Sequence, residues 1–169
     1  VFRLICLCFW PLWSWGQSMT VLKASHQFPS GQGDVRDEML QLIAREVKAA
    51  GVNLSIRVHA NASLVKPLDQ WKSVVKGEID MTLLPLDYAS NIHPEFGVTL
   101  LPGLVRNHDH ALRINQSAFM KDIRALVQKG GATVLADAWL AGGMGSKDRC
   151  LLEPIDAKGL KVRSAGATY

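Results

Sequence analysis

The stretch IDMTLLP, Ile79–Pro85, is nearly continuous in apolar character. Strands of a parallel sheet are covered by helices on both faces, so their residues form apolar runs instead of alternating with polar ones. This stretch therefore predicts a central parallel strand, and with it a sheet that carries helices on either side.

The residues before this strand show two more strand patterns with a helix between them. Strands are predicted at 20–25 and 54–60, the second because apolar and polar residues alternate there. A helix is predicted over 35–50, with Asp34 as its N-cap and Asp37 placed as in a capping box. The order strand, helix, strand is the first half of a parallel α/β unit.

The same alternation continues along the rest of the chain. A second helix is predicted over 66–76 and a long third helix over 109–129, both with apolar residues at helical spacing. Extended segments are predicted at 98–105, 132–141 and 160–163. Together these patterns predict an α/β fold with a largely parallel sheet flanked by helices.

Composition supports a folded protein without a nucleic-acid partner. The 169 residues are 48% hydrophobic and 20% charged, with a formal net charge of only +4, which are values of globular proteins. Basic and acidic residues alternate instead of forming a basic run, so we expect no nucleic acid as partner.

The first sixteen residues, VFRLICLCFWPLWSWG, predict a secretory signal peptide. A single positive charge at Arg3 precedes an apolar run over 4–13, and small residues follow near Gly16. Two alternatives stay open, an uncleaved membrane anchor and a buried N-terminal helix. After cleavage only Cys150 would remain, so no internal disulfide is expected. We therefore expect export to the periplasm.

The sequence offers no arrangement that indicates catalysis. Ser25 and His26 are adjacent, and adjacent residues of a strand point to opposite faces, so they cannot act as a nucleophile and its base. His108 and His110 lack further ligand residues at metal-binding spacing. The glycines of GGMGSK do not have the spacing of a phosphate-binding loop. We expect neither an enzyme nor a cofactor or metal.

Arg163 is a candidate binding residue because of its neighbours. It follows Leu160 and Val162 in the segment predicted as a short buried strand. Two interpretations remain open from spacing alone: the side chain reaches water at a strand edge, or it faces an anion inside. A guanidinium stays charged, and a carboxylate satisfies it with two parallel hydrogen bonds.

Several segments together resemble the N-terminal half of a solute-binding protein of the tripartite ATP-independent periplasmic (TRAP) transporter family, of the dicarboxylate-binding, DctP-like type. The most specific is PIDAKGLKVRSAG, residues 154–166, which resembles a signature of the form "p.DlkGlKiRv.g". The others are LKASHQFPSG, VNLSIRVHANASL, WKSVVKGEIDMTLLP and PEFGVTLLPGLVRNHDHA, in the same order as in the family.

This resemblance implies a two-lobed periplasmic binding protein that closes over a small organic acid and delivers it to membrane permease subunits for sodium-coupled uptake. It places Arg163 at the arginine that grips the ligand carboxylate. It places the polar residues after the first strand, and a further rim after the third strand, at the ligand. These residues are Ser25, His26, Gln27, Asp87 and Tyr88.

The resemblance also implies a division of the chain. Residues 1–16 are expected to be the signal peptide, 17–141 an incomplete first lobe, and 142–169 the start of a truncated second lobe. The turn GGMGS at 142–146 departs from the polar turn that many members carry, which bears on the ligand class. The alternative function is a periplasmic sensor module that uses the same lobe and signals to a membrane receptor.

Overall fold

The computed structural model describes residues 18–163, and the segment predicted as a signal peptide lies outside these residues. Three strands form one sheet: β1 (Thr20–His26), β2 (Leu54–His59) and β3 (Met81–Leu83). Their order is β2-β1-β3, and β1 pairs in parallel with both neighbours. The predicted parallel sheet is therefore confirmed. The prediction that the strand within Ile79–Pro85 is central is wrong for the described residues, because β3 has only three residues, lies at one edge and is half-buried, while β1 is central.

Four α-helices accompany the sheet: α1 (Val35–Ala49), α2 (Gln70–Val75), α3 (His108–Asn115) and α4 (Ala118–Lys129). Short 3₁₀ turns cover Pro67–Asp69, Leu86–Ala89, Pro94–Leu100 and Pro154–Ala157. Within residues 18–163 no helix has both the length and the apolar character needed to cross a membrane. The turn over Pro94–Leu100 replaces part of the extended segment predicted at 98–105.

Hydrogen bonds from β1 show that α1 and α2 lie on opposite faces of the sheet. Gln70 of α2 donates to the Ser25 hydroxyl at 3.1 Å, whereas the next residue, His26, pairs with Asp37 of α1 at 3.0 Å. Successive residues of a strand point to opposite faces. The helices therefore cover both sides of β1, as the apolar pattern of the sequence predicts.

The N-terminus of α1 is capped by Asp34 alone. Its carboxylate accepts a hydrogen bond from the backbone N–H of Arg36 at 3.0 Å, which confirms the predicted cap. Asp37 does not complete a capping box, because its carboxylate is turned towards His26. At the other end of the helix, Gly51 adopts φ +64°, a left-handed conformation that suits glycine after a helix.

The long helix predicted over 109–129 is two helices. The Ser117 hydroxyl donates to the Ile114 carbonyl and accepts from the backbone N–H of Met120, so it ends α3 and caps α4. A serine side chain that bonds to nearby backbone competes with helix continuation. The apolar spacing runs through this break, which is why the sequence pattern alone does not reveal it.

The strands predicted at 132–141 and 160–163 are wrong. These segments pair with no strand among the described residues, and a strand exists only where a neighbouring strand accepts its hydrogen bonds. The first segment is held by side chains instead: Arg124 of α4 pairs with Asp137, and Trp139 donates to the Asn115 side chain. Leu135 remains 77% exposed.

An aromatic core lies between α2, the Pro94–Leu100 turn and α4. Trp71 stands edge-on to Phe96 with ring centroids 5.1 Å apart, and His93 packs against both rings. Gly130 ends α4 directly against this cluster. A Cβ atom at Gly130 would lie 2.8 Å from Cζ2 of Trp71 and 3.3 Å from Nε2 of His93.

Gly130→Ala is therefore expected to destabilise the protein by about 1–3 kcal/mol, because a methyl group must displace a buried tryptophan ring. The backbone of Gly130 has φ −75°, so steric contact and not conformational strain is the cause. Gly142→Ala is the matched control, since a Cβ there meets no atom within 4 Å. Urea denaturation of both variants measures the difference, and equal stabilities would contradict the predicted contact.

Candidate functional site

The sheet has a topological switch point between β1 and β3. The chain passes from β1 to β2 on one side and then returns past β1 to β3 on the other. In open parallel sheets the loops that leave such adjacent strands diverge and create a crevice at the carboxyl edge, where ligands bind. Here these loops begin with Gln27 after β1 and with Leu84 after β3.

Arg163 reaches this edge from the far end of the described chain. Its guanidinium donates a hydrogen bond to the hydroxyl of Tyr88 at 2.9 Å, although the two residues are 75 positions apart. Tyr88 is half-buried in the 3₁₀ turn that follows β3. The structure therefore brings together two of the residues predicted to line the site.

The environment of Arg163 differs from the expected one. The residue lies in no strand and its side chain is exposed, as are Leu160 and Val162 beside it. No strand pairs with this segment in residues 18–163, so nothing holds its apolar side chains inward. The expectation of a buried strand at 160–163 is corrected, while the contact with Tyr88 keeps Arg163 at the edge of the candidate site.

A second guanidinium, Arg36, lies near the same rim. It stacks on the Phe28 ring at 4.0 Å and donates to both oxygens of Asp34, at 2.8 Å and 2.5 Å. This pairing lowers the pKa of the Asp34 carboxyl to about 2. The hydrogen bonds to Asp34 raise the pKa of the Arg36 guanidinium, and the nearby Tyr88 contributes in the same direction.

The two arginines therefore differ in what they can offer an anion. The charge of Arg36 is already balanced by a bidentate carboxylate, the arrangement that suits a guanidinium best. Among residues 18–163, Arg163 is hydrogen-bonded to the neutral hydroxyl of Tyr88. Of these two arginines, Arg163 is therefore the one whose positive charge is available to an anion at this edge.

Three buried polar side chains in the loops after β1 and β3 have atoms without a hydrogen-bond partner among the described residues. Asp87 is only 1% exposed, and within residues 18–163 neither of its carboxylate oxygens has a hydrogen-bond partner. The same holds for Oε1 of Gln27 and for the hydroxyl of Ser90. Burial raises the pKa of the Asp87 carboxyl, and the nearby Ser90 hydroxyl offsets part of that rise.

Ser25 and His26 end β1 and are fully buried in the protein interior. The backbone N–H of Phe28 donates to Nδ1 of His26 at 3.1 Å, so the ring proton is on Nε2 and is donated to Asp37. The Ser25 hydroxyl accepts from Gln70, whose own Oε1 accepts from Thr82. Their direct contact with a solute stays a prediction, and in this structure their polar groups support the loop from beneath.

The sequence interpretation did not predict Arg36 at the rim, nor its contacts with Phe28 and Asp34. The available signal was an arginine in the first turn of the helix that follows the β1 loop, two residues after its N-cap. The part of the chain from 18 to 163 contains no group of three His, Cys, Asp or Glu side chains that could hold a metal. The side chains described at this edge, Arg163, Tyr88 and Arg36, take part in hydrogen bonds and charge pairs.

Comparison with known proteins assigns the chain to a protein family. Residues 29–168 match the family described as bacterial extracellular solute-binding protein, family 7. The chain belongs to this family. Its members are solute-binding proteins and not enzymes, and the fold and the resemblance predicted from the sequence are confirmed.

Two family 7 relatives illustrate the similarity. A solute-binding protein of Albidiferax ferrireducens is 36% identical over 148 residues, which cover 85% of this chain and 44% of the relative. The crystal structure of a TRAP periplasmic solute-binding protein from Rhodoferax ferrireducens, with bound malonate, is 35% identical with a TM-score of 0.78. That match covers 82% of this chain and 45% of the relative.

A more distant structure shares the fold of this family 7 chain. DctP6, an extracytoplasmic solute receptor of Bordetella pertussis that binds pyroglutamic acid, is 22% identical with a TM-score of 0.60. The match covers 66% of this chain and 36% of the receptor. The chain thus spans less than half the length of the relatives that it matches.

Proposed function

We propose that the complete protein captures a small carboxylate-bearing solute in the periplasm and delivers it to the membrane subunits of a TRAP transporter for sodium-coupled uptake. The observation that carries the proposal is the contact between Arg163 and Tyr88 at the carboxyl edge of β3. It leaves a guanidinium with a neutral partner at the switch point, where a planar anion can accept two hydrogen bonds.

The proposed solute site consists of Arg163, Tyr88, Gln27 and Asp87, with Ser25 and His26 as its buried support. The malonate bound by the 35% identical relative supports a small organic acid as ligand. Residues 17–141 would supply one wall of the site. Residues from 142 onwards would start the second lobe, whose closure removes the bound acid from water. The signal peptide over 1–16 would direct the protein to the periplasm.

The requirement for a carboxylate can be tested with pairs of acids and amides of the same shape. Isothermal titration calorimetry of the full-length protein with lactate and lactamide, glycerate and glyceramide, and malonate and malonamide compares the two groups directly. We expect at least one acid to bind roughly 30-fold or more tightly than its amide, because an amide leaves the arginine without a counter-charge.

Two outcomes would contradict the proposal. Binding of an amide with the affinity of its acid would mean that the guanidinium does not select the charge. Absence of binding by every acid at millimolar concentration would mean that the site does not take small carboxylates. Circular dichroism of the same sample establishes in either case that the protein is folded.

A further inference from the structure

The acceptors without partners at the switch point carry information about the solute. Asp87 has 1% of its surface exposed, and both of its oxygens lack a hydrogen-bond partner within the described range 18–163. A buried polar group without a partner costs about 1–3 kcal/mol, and a charged one costs more. A free-energy cost of this size at one residue is compensated if another state of the protein, such as the solute-bound state, supplies the missing hydrogen bonds.

Position connects Asp87 to the candidate site. It immediately precedes Tyr88, the residue that receives the hydrogen bond from Arg163. Gln27 follows β1, and His26 is in register with Leu83 at the ends of the two parallel strands. Gln27 and Asp87 therefore lie in the two loops that leave the same edge of the sheet, after the two strands that flank the switch point. Oε1 of Gln27 also lacks a partner within the described range.

The oxygen atoms of Asp87 and Gln27 that lack partners can only accept hydrogen bonds. A carboxylate accepts hydrogen bonds and donates none, and the oxygen of an amide does the same. Their natural partners are the hydrogens of a hydroxyl or an ammonium group. A second carboxylate brought to this place would meet the negative charge of Asp87 with no hydrogen to share.

We propose that the solute carries a hydrogen-bond donor beside its carboxylate, a hydroxyl or an ammonium group that is accepted by Asp87 and Gln27 while Arg163 holds the carboxylate. The solute class is thus hydroxy or amino acids, in preference to dicarboxylates without a donor. This inference rests on the proposed function and specifies the ligand of that same site.

Four acids with three carbon atoms separate these chemistries. Propionate has the carboxylate alone, lactate adds a hydroxyl, alanine adds an ammonium group, and malonate adds a second carboxylate. Isothermal titration calorimetry of the full-length protein should give lactate or alanine roughly 10-fold or more tighter binding than propionate and malonate. This factor corresponds to one hydrogen bond to a charged acceptor.

Asp87→Asn tests the residue itself. The variant keeps the shape but loses the charge, so the preference for lactate or alanine over propionate should fall to within about 3-fold. The solute-free variant should also be more stable than the wild type in urea, because a buried unpaired charge is removed. Asp122→Asn is the matched control, since Asp122 is exposed on α4, and it should change neither quantity.

The outcomes separate this inference from the proposed function. Tight binding of propionate or malonate relative to lactate and alanine, or an unchanged preference in Asp87→Asn, overturns the inference while carboxylate capture stands. Failure of all four acids to bind overturns both. A loss of stability in solute-free Asp87→Asn would also overturn it, since the carboxylate would then have a structural partner.

Discussion

Replacing Arg163 with alanine is expected to weaken binding of a carboxylate solute by roughly 30-fold to several thousand-fold. Removing one partner of a hydrogen-bonded charge pair that becomes buried costs about 2–5 kcal/mol. The cost is large here because Arg36, the other guanidinium at the rim, is already paired with both oxygens of Asp34. It has no free charge with which to replace Arg163.

Two further variants separate the charge of Arg163 from its geometry. Arg163→Lys keeps the charge but loses the planar fork that binds both carboxylate oxygens, so a loss of roughly 10-fold is expected. Tyr88→Phe removes the hydroxyl that holds the guanidinium at 2.9 Å. Loss of one such neutral bond corresponds to about 0.5–1.5 kcal/mol, or roughly 2- to 12-fold in affinity.

The control for charge is Lys161→Ala. Lys161 is an exposed cation two residues before Arg163, so the substitution changes the net charge equally and leaves the contact with Tyr88 intact. Its affinity should stay within about 2-fold of the wild type, because an exposed charge at a distance is screened. Titration calorimetry with the tightest acid measures all four variants. Equal losses in Lys161→Ala and Arg163→Ala would contradict a specific role of Arg163.

The first half of the fold could be predicted because its signals are local. The cap at Asp34, the apolar spacing of α1 and the left-handed Gly51 lie within one helix and its ends. The apolar run around β3 likewise predicts a parallel strand, although among the described residues this strand is half-buried at an edge of the sheet instead of central. Such patterns depend on nearby residues, and the structure follows them closely.

The errors occur where structure depends on distant residues or on single side-chain hydrogen bonds. The segment 132–141 has the composition of a strand, but in the described range no neighbour completes its ladder. At Ser117 one hydroxyl divides a helix that the apolar pattern continues. Asp37 was expected at the helix cap, and its carboxylate instead serves His26 on the neighbouring strand.

The site was predictable in part for the same reason. The resemblance led to Arg163 and Tyr88, and the structure brings them into contact across 75 positions of sequence. The sequence could not show that, within residues 18–163, Arg163 lies outside any strand and the carboxylate of the buried Asp87 has no hydrogen-bond partner. The first fact depends on whether a neighbouring strand is present and the second on how the loop after β3 packs, and no local pattern encodes either.

The second large effect is expected at Asp37, where alanine should destabilise the protein by about 2–4 kcal/mol. The Asp37 carboxylate accepts from Nε2 of His26 at 3.0 Å, from the Ser30 hydroxyl at 3.0 Å and from Gln41 at 3.3 Å. His26 has none of its surface exposed. Without Asp37 its ring N–H would be buried with no acceptor, which adds to the loss of the bonds themselves.

Glu38→Ala is the matched control for this variant. Glu38 is the next residue, lies in the same first turn of α1 and is exposed. Both substitutions remove one negative charge from the helix N-terminus, so both lose the same favourable interaction with the helix dipole. Glu38→Ala should therefore cost no more than about 0.5–1 kcal/mol in urea denaturation. The remaining difference between the two variants reports the buried network of Asp37.

The pH dependence of stability identifies the Asp37 carboxylate as the group responsible. Burial alone would raise its pKa, but the hydrogen bonds from Ser30 and Gln41 and the neighbouring His26 lower it below the ordinary 3.8. A carboxyl whose pKa is lowered by folding stabilises the protein above its unfolded pKa, and this contribution is lost as pH falls through the folded pKa. The gap in unfolding free energy between wild type and Asp37→Ala should therefore shrink as the pH falls below about 4. Asp34 also has a lowered pKa, but it is present in both proteins, so its contribution to the pH dependence cancels in the difference between them. A gap that persists unchanged into acid would mean that Asp37 acts through packing and not through its charge.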